Sequence, residues 1–148
     1  METPFNVQLR LPPMPQYARS ARAALAAFAS YHCLAERDVE GLTFALGEAL
    51  ANAIAHGCTN DDIEVGFRID DKAIVATVRD RGRGFADTAR VRGAARAQLP
   101  TETSEIGRGF AIMQLCTDFL DVRSEPGAGT TVTLGRYRTN RQEAAPDR

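Results

Sequence analysis

The sequence predicts an α+β fold, a two-layer sandwich with a mainly antiparallel sheet and helices on one of its faces. Three observations predict it. Five short stretches read as strands, and four of them form two pairs joined by brief turns. Only three stretches carry helical patterning, too few to cover both faces of a sheet. The chain has 148 residues, which suits one domain and leaves no room for a second.

Each element follows from its own pattern. Phe5, Val7, Leu9 and Leu11 alternate with Asn6, Gln8 and Arg10, the period of a strand with one buried face. Pro12-Pro13-Met14-Pro15 ends it. Tyr17 to Ser30 is Ala-rich and helical, and Glu36 to about His56 is a second helix. Ile63, Val65, Phe67 and Ile69 alternate with Glu64, Gly66 and Arg68 as a second strand. Asp70-Asp71-Lys72 is a hairpin turn into a third, Ala73 to Arg79. Residues 81–107, rich in Gly, Arg and Thr, read as loop with at most one short helix, and Gly109 to Thr117 reads as helix. Phe119 to Ser124 and Thr130 to Arg136 are strands joined by Glu125-Pro126-Gly127-Ala128-Gly129. The domain is expected to span 1–137, with a frayed polar tail over 138–148.

Composition narrows the function classes. The chain is 44% hydrophobic and 25% charged, enough for a core without disulfides. A net charge of −1 argues against direct, generic nucleic-acid binding. Met1 to Leu11 lacks a signal-peptide pattern, and no apolar run reaches membrane-spanning length. Cys33, Cys58 and Cys116 have no metal-binding spacing and read as reduced thiols of a cytoplasmic protein. Of the 18 positive residues, all but Lys72 are Arg. Most of that skew, including Arg136, Arg138, Arg141 and Arg148 near the tail, reads as genomic habit. Arg81, Arg83 and Arg108, with Arg90, Arg92 and Arg96, sit where guanidinium groups would suit phosphate.

Four segments carry chemistry. Between Gly41 and Gly57 the only acidic or basic side chain besides His56 is Glu48. Leu46, Leu50, Ala53 and Ile54 form one stripe, while Glu48, Asn52 and His56 recur at i, i+4 and i+8 on the opposite side. Phe44, Ala45, Ala49, Ala51 and Ala55 flank that polar stripe, as the wall of a ligand cavity would require. A solvated amphipathic face is the plain alternative. A carboxylate and a carboxamide one turn apart can face one ligand, Asn52 as a ligand of Mg²⁺ and Glu48 as a proton acceptor. Asp80-Arg81-Gly82-Arg83-Gly84-Phe85 follows a strand, and its carboxylate suits an exocyclic amine such as that of adenine. Gly107-Arg108-Gly109-Phe110 opens a helix, where bare N–H groups suit an anion. Gly127-Ala128-Gly129-Thr130-Thr131 leads into the last strand. Each alone also reads as a turn or a joint.

Together and in this order, the four segments resemble the N, G1, G2 and G3 boxes of the gyrase, chaperone and histidine-kinase ATPase superfamily, the Bergerat or GHKL fold, over Phe5 to Arg136. Gly47-Glu48-Ala49-Leu50-Ala51-Asn52-Ala53-Ile54-Ala55-His56-Gly57 is similar to the N box of its anti-sigma-factor serine/threonine protein kinase branch, and Gly107 to Met113 is close to that branch as well. The resemblance implies ATP and Mg²⁺ as cofactors, with Glu48 as general base and Asn52 as the metal ligand. His56 would stand beside the phosphates. Asp80 would bind the adenine amino group and Gly82 and Gly84 would shape its pocket. Gly107, Arg108, Gly109 and Phe110 would pass the phosphates, and Thr130 and Thr131 would lie at the nucleotide, with Thr131 backing the adenine contact. Ala86 to Ile106 would be a lid. It also implies a bacterial homodimer that phosphorylates a STAS-type anti-anti-sigma factor on serine and sequesters a sigma factor, in the service of transcription regulation. A non-catalytic ATP-binding regulator is the alternative. A detached histidine-kinase catalytic domain fits less well, because His32 sits at a helix end and His56 lies inside the N box.

Overall fold

The computed structural model describes residues 5–57, 60–84 and 105–138. The elements run β1 (Val7–Leu11), α1 (Pro15–Tyr31), α2 (Glu36–His56), β2 (Ile63–Ile69), β3 (Ala73–Asp80), α3 (Glu105–Cys116), β4 (Phe119–Glu125) and β5 (Gly129–Tyr137). The strands form one sheet in the order β1-β2-β3-β5-β4, and every neighbouring pair is antiparallel. The expected two-layer α+β sandwich is what the chain builds.

The core lies between one sheet face and the helices. Ile63, Val65 and Phe67 of β2, Ile74, Ala76 and Val78 of β3, Val132 and Leu134 of β5 and Val122 of β4 point into it. Residues of odd parity on β5 and β4, such as Thr131, Thr133, Asp121 and Arg123, line the other face as a broad groove with Arg10, Arg68 and Arg79. That alternation is the pleat of a sheet with one apolar and one polar side. On the polar side Phe5 covers Gly66 and Phe119 covers Gly135, filling the space a Cβ would take.

Local chemistry explains the element ends. Pro15 opens α1, where its missing N–H costs nothing. Ala21, Leu25 and Ala29, one turn apart, make its fully buried stripe. The helix closes with two backbone bonds, Cys33 N–H to Ser30 O at 3.0 Å and Leu34 N–H to Ala29 O at 3.0 Å, and Cys33 takes the left-handed conformation at φ 63°. His32 packs its ring on Phe28 and Tyr31 at 4.8 and 5.1 Å between centroids. In the β2–β3 turn, Asp70 Oδ1 accepts from Lys72 N–H at 2.7 Å and Ala73 N–H at 2.9 Å. Those two bonds hold its carboxyl below the ordinary value of 3.8.

Helix α3 begins at Glu105, four residues before the expected start, so Gly107 lies within its first turn. Helices α2 and α3 run antiparallel and approach closely at two glycines. A Cβ on Gly41 would stand 3.0 Å from Cys116 O, and one on Gly109 would stand 3.1 Å from Asn52 Nδ2.

One tail arginine is structural rather than a genomic ornament. Arg136 on β5 reaches the start of α2, where its guanidinium pairs with the buried carboxylate of Asp38, and also bonds Cys116 O at 3.4 Å. Asp118 Oδ2 stands 3.8 Å from its Nε. Arg138 likewise bonds Asp70 O at 2.9 Å. Removing one partner of a buried pair strands the other charge, so Arg136→Ala is expected to cost about 3–5 kcal/mol of stability. Chemical denaturation checks this, and the Arg136→Met, Asp38→Leu double variant is expected to recover most of the loss.

Candidate functional site

At the end of the sheet nearest the C-terminus of α2 lies a cavity of about 260 Å³. Helix α2 contributes Ala49, Asn52, Ala53 and His56 to its wall, the sheet contributes Val78, Asp80, Thr130 and Val132, and α3 contributes Phe110. Arg83 and Gly84 close one side. Ala49 and Ala53 supply the small apolar wall expected of α2, but the polar stripe is not on the far side of the helix. Glu48 and Asn52 turn toward Gly109 of α3, while Ala51, Ala55 and Phe44 face solvent.

Asp80 is the last residue of β3 and shares the inward parity of Val78. Its Oδ1 accepts the Gly82 N–H at 2.8 Å. Burial pushes its carboxyl above the ordinary 3.8, opposed by backbone hydrogen bonds from Gly82 and Thr130. A raised folded-state value means that the folded chain holds the proton more tightly than the unfolded chain. Stability therefore falls as pH rises from 3.8 through the raised value, and the ionised group remains a cost at neutral pH. Asp80→Asn is expected to raise the ligand-free melting temperature at pH 7 by about 2–4 °C, with the gain shrinking toward pH 4. The same variant is expected to weaken any ligand that donates to this carboxylate at least about tenfold, because a charged acceptor is lost. Calorimetry with and without nucleotide checks both.

The glycines are joints between segments. Gly82 does not line the cavity; it packs against the backbone of Gly57 at the end of α2, with no room for a Cβ. Gly84, at φ 65°, lets the chain pass Glu125 O, and Gly129, at φ 90°, lies against Asp80 O. Gly127 N–H bonds Arg83 O at 2.6 Å. The segments holding Asp80, Gly84 and Thr130 are thereby locked together.

Thr131, expected to back an adenine contact, points instead to the polar face of the sheet, and Thr130 lines the cavity. Strand parity is the reason: Thr130 shares a side with Val132 and Leu134, and Thr131 does not. Arg108 is exposed on α3 and is not part of the cavity wall, and neither is Gly109, which abuts Glu48 and Asn52. Phe110 is both buried in the core and part of the wall. His56 is exposed at the cavity edge. Most of the expected lid, including Arg90, Arg92 and Arg96, and Cys58 lie outside the described residues.

Sequence reasoning missed Ser124. It faces Thr130 across β4 and β5, and its Oγ is 2.8 Å from Thr130 Oγ1. Its parity with the core residue Val122 was the available signal.

The residues fit a nucleotide with a divalent cation. Asn52 Nδ2 is buried without a hydrogen-bond partner among the described residues, beside the Glu48 carboxylate and the opening turns of α3. The Asn52 amide oxygen and one carboxylate match a cation that keeps most of its shell as water and phosphate oxygen, while the orphan Nδ2 is a donor suited to a phosphate oxygen. Asp80 and Thr130 offer polar groups at the other side of the cavity.

A family model described as the histidine kinase-like ATPase domain matches residues 11–136. The anti-sigma F factor of Geobacillus sp. (strain WCH70) is 31% identical over 90% of this chain and 93% of its own length. That of Geobacillus stearothermophilus is 33% identical over 82% of this chain and 85% of its own. Among solved structures, the RsbU and RsbW domains of a Mycobacterium tuberculosis protein match at a TM-score of 0.67 with 23% identity. That match covers 93% of this chain but 34% of the other, so the chain spans about a third of that molecule. The SiaB–SiaC complex of Pseudomonas aeruginosa matches at 0.66 with 11% identity over 88% of this chain and 89% of the other. At such identities the two structures establish the fold.

Proposed function

The chain belongs to the histidine kinase-like ATPase domain family, and we propose that within it the protein is an ATP-dependent serine kinase and anti-sigma factor. It phosphorylates a STAS-type anti-anti-sigma partner and sequesters a sigma factor. The observation that carries this reading is that Glu48 and the orphan amide of Asn52 both stand against Gly109, next to a cavity that ends at Asp80 and Thr130. Similarity to anti-sigma F factors along most of the chain supports it.

When bound, Mg-ATP supplies the phosphoryl group and the cation that offsets its charge. The chain's residues do the rest. Asp80 accepts from the adenine amine and Thr130 lies beside it. Asn52 holds the cation, and the N–H groups around Gly107, Arg108 and Gly109 receive phosphate oxygens at the start of α3. Glu48 takes up or orients the proton of the attacking serine hydroxyl, the work that remains when positioning and charge dominate catalysis. His56 borders the phosphates, and Gly82 and Gly84 hold the base end in shape. The unit is the 1–137 domain, acting as a homodimer in the bacterial cytoplasm. Among the described residues no helix is long and apolar enough to cross a membrane.

Incubation with γ-labelled ATP, Mg²⁺ and a STAS-domain protein tests this. Label is expected on a serine of the partner. If ATP binds and no label transfers, the kinase reading fails and a purely nucleotide-gated binding protein takes its place.

A further inference from the structure

The exposed positions of α2 change character along its length. Near its start they are Glu36, Arg37 and Glu40, the ordinary charged face of a surface helix. Past Gly41 they are Phe44, Ala51 and Ala55, with His56 at the end. Phe44 is 54% exposed. Helix α3 is apolar on its outside as well: Leu115 is 71% exposed, and Ile112, one turn back, is half-buried. Gly41 meets Cys116 and Gly109 meets Asn52, so the antiparallel pair brings Phe44 level with the stretch from Ile112 to Leu115. An apolar ledge therefore runs along the outside of the helix layer. Exposed apolar side chains are common singly, but a group of them on adjoining helices marks a contact surface. Glu48 lies inside this one, about one turn from both Phe44 and Ala51.

Position along α2 orders the site. Asp80 stands at the C-terminal end, with its Cβ 3.9 Å from where a Cβ on Gly57 would be. Asn52 comes next, then Glu48, then Phe44, the last two each about 6 Å further along the axis. Base, cation, carboxylate and apolar ledge thus follow one direction. Phosphoryl transfer needs the attacking and leaving oxygens roughly in line. ADP departs on the side of Asn52 and Asp80, so the acceptor hydroxyl enters from the side of Phe44. A protein whose serine reaches Glu48 by this route covers Phe44.

We propose that Phe44, with Ile112 and Leu115 beside it, is the docking ledge for the partner segment that carries the acceptor serine, and that this segment sets apolar side chains and no acid next to that serine. Glu48 is the sole acidic side chain of α2 after Glu40, and an acid beside the acceptor would meet it as a like charge. In the transfer the serine Oγ forms the new bond to phosphorus, the bond to ADP breaks, and the hydroxyl proton goes to Glu48. A second copy of this chain held on the ledge would seal Glu48 from every acceptor, so the occupant is the substrate protein. This rests on the kinase reading above.

Steady-state transfer from γ-labelled ATP to a STAS-domain protein tests it in the wild type, Phe44→Ser, Phe44→Leu, Leu115→Ser and Tyr31→Ser. Tyr31, 81% exposed at the end of α1, is the control for loss of an exposed apolar side chain elsewhere. Phe44→Ser is expected to raise the KM for the STAS protein about tenfold and Leu115→Ser about threefold, the effect falling on KM rather than on kcat or ATP affinity. Phe44→Leu is expected to restore most of the loss, and Tyr31→Ser to cause none. Melting temperatures should stay close to the wild type, since the substituted side chains are exposed. An unchanged KM in both ledge variants overturns the ledge, and so does a loss that falls on kcat or ATP affinity. A Phe44→Ser protein that changes only its oligomeric state in sedimentation makes the ledge a contact between copies and overturns it too. A wild type that binds ATP and transfers no label to the STAS protein defeats the kinase reading itself, and the ledge falls with it.

Discussion

Glu48→Gln is expected to slow phosphoryl transfer to a STAS substrate by roughly 10²–10⁴-fold while ATP affinity stays within about threefold of the wild type. The amide keeps the size and polarity of the side chain, so the approach of Gly109 to α2 survives. What it removes is the capacity to take a proton. Single-turnover transfer from γ-labelled ATP, beside equilibrium binding, separates the two effects. A variant that lost affinity and rate together would make Glu48 a binding group. The partner variant Asn52→Ala is its natural control, because an effect through the cation should respond to Mg²⁺ concentration and one through Glu48 should not.

Gly129→Ala is expected to cost roughly 3 kcal/mol or more and to abolish measurable ATP binding. Gly129 sits at φ 90°, where a side chain is strained, and its Cβ would overlap Asp80 O and come within 2.9 Å of Arg81 Cα. Both obstacles are backbone, so no rotamer relieves them. The chain must move, and what moves is the joint that sets Asp80 beside Thr130. Gly127→Ala is the contrasting case. It also has positive φ, at 80°, but a Cβ there meets nothing within 4 Å. Its cost should stay near the conformational strain alone, about 1–2 kcal/mol, with ATP still bound. Thermal unfolding and nucleotide titration of both variants check the contrast.

Much of this fold is readable along the chain because its signals are local. Helix α2 and strand β2 fall on their expected bounds, Glu36–His56 and Ile63–Ile69. Their patterns are long, and Asp70 marks the turn that follows. The start of α3 was not readable, because Gly107 and Gly109 discourage a helical reading that tertiary packing against α2 overrides. The site divides in the same way. Glu48 and Asn52 were legible as a pair from helical spacing. Which helix they would face was not, since the approach of α3 at Gly109 joins residues far apart in sequence. Thr130 and Thr131 show the cost of reading a motif without its pleat. Counting back from Leu134 and Val132 assigns Thr130 to the helix side and Thr131 to the other. Ser124 carries no motif signal, and only the pairing of β4 with β5 brings it to Thr130. Arg136 read as a tail residue because its partner Asp38 is 98 positions away.

The strand order has a consequence for synthesis. β5 is the last of the described strands to be made, yet it occupies a place inside the sheet, between β3 and β4. A nascent chain that has emerged only as far as β4 can pair β1, β2 and β3 as a three-stranded antiparallel sheet. It then presents the open edge of β3, a ready template for pairing with another chain. Among the described residues β4 has no sheet neighbour except β5, so it must wait. Nucleotide competence and the Arg136–Asp38 link therefore arrive in one late step, when 129–137 inserts between two waiting strands. Ribosome-arrested chains ending before and after this segment should differ in protease resistance as a step, not a slope.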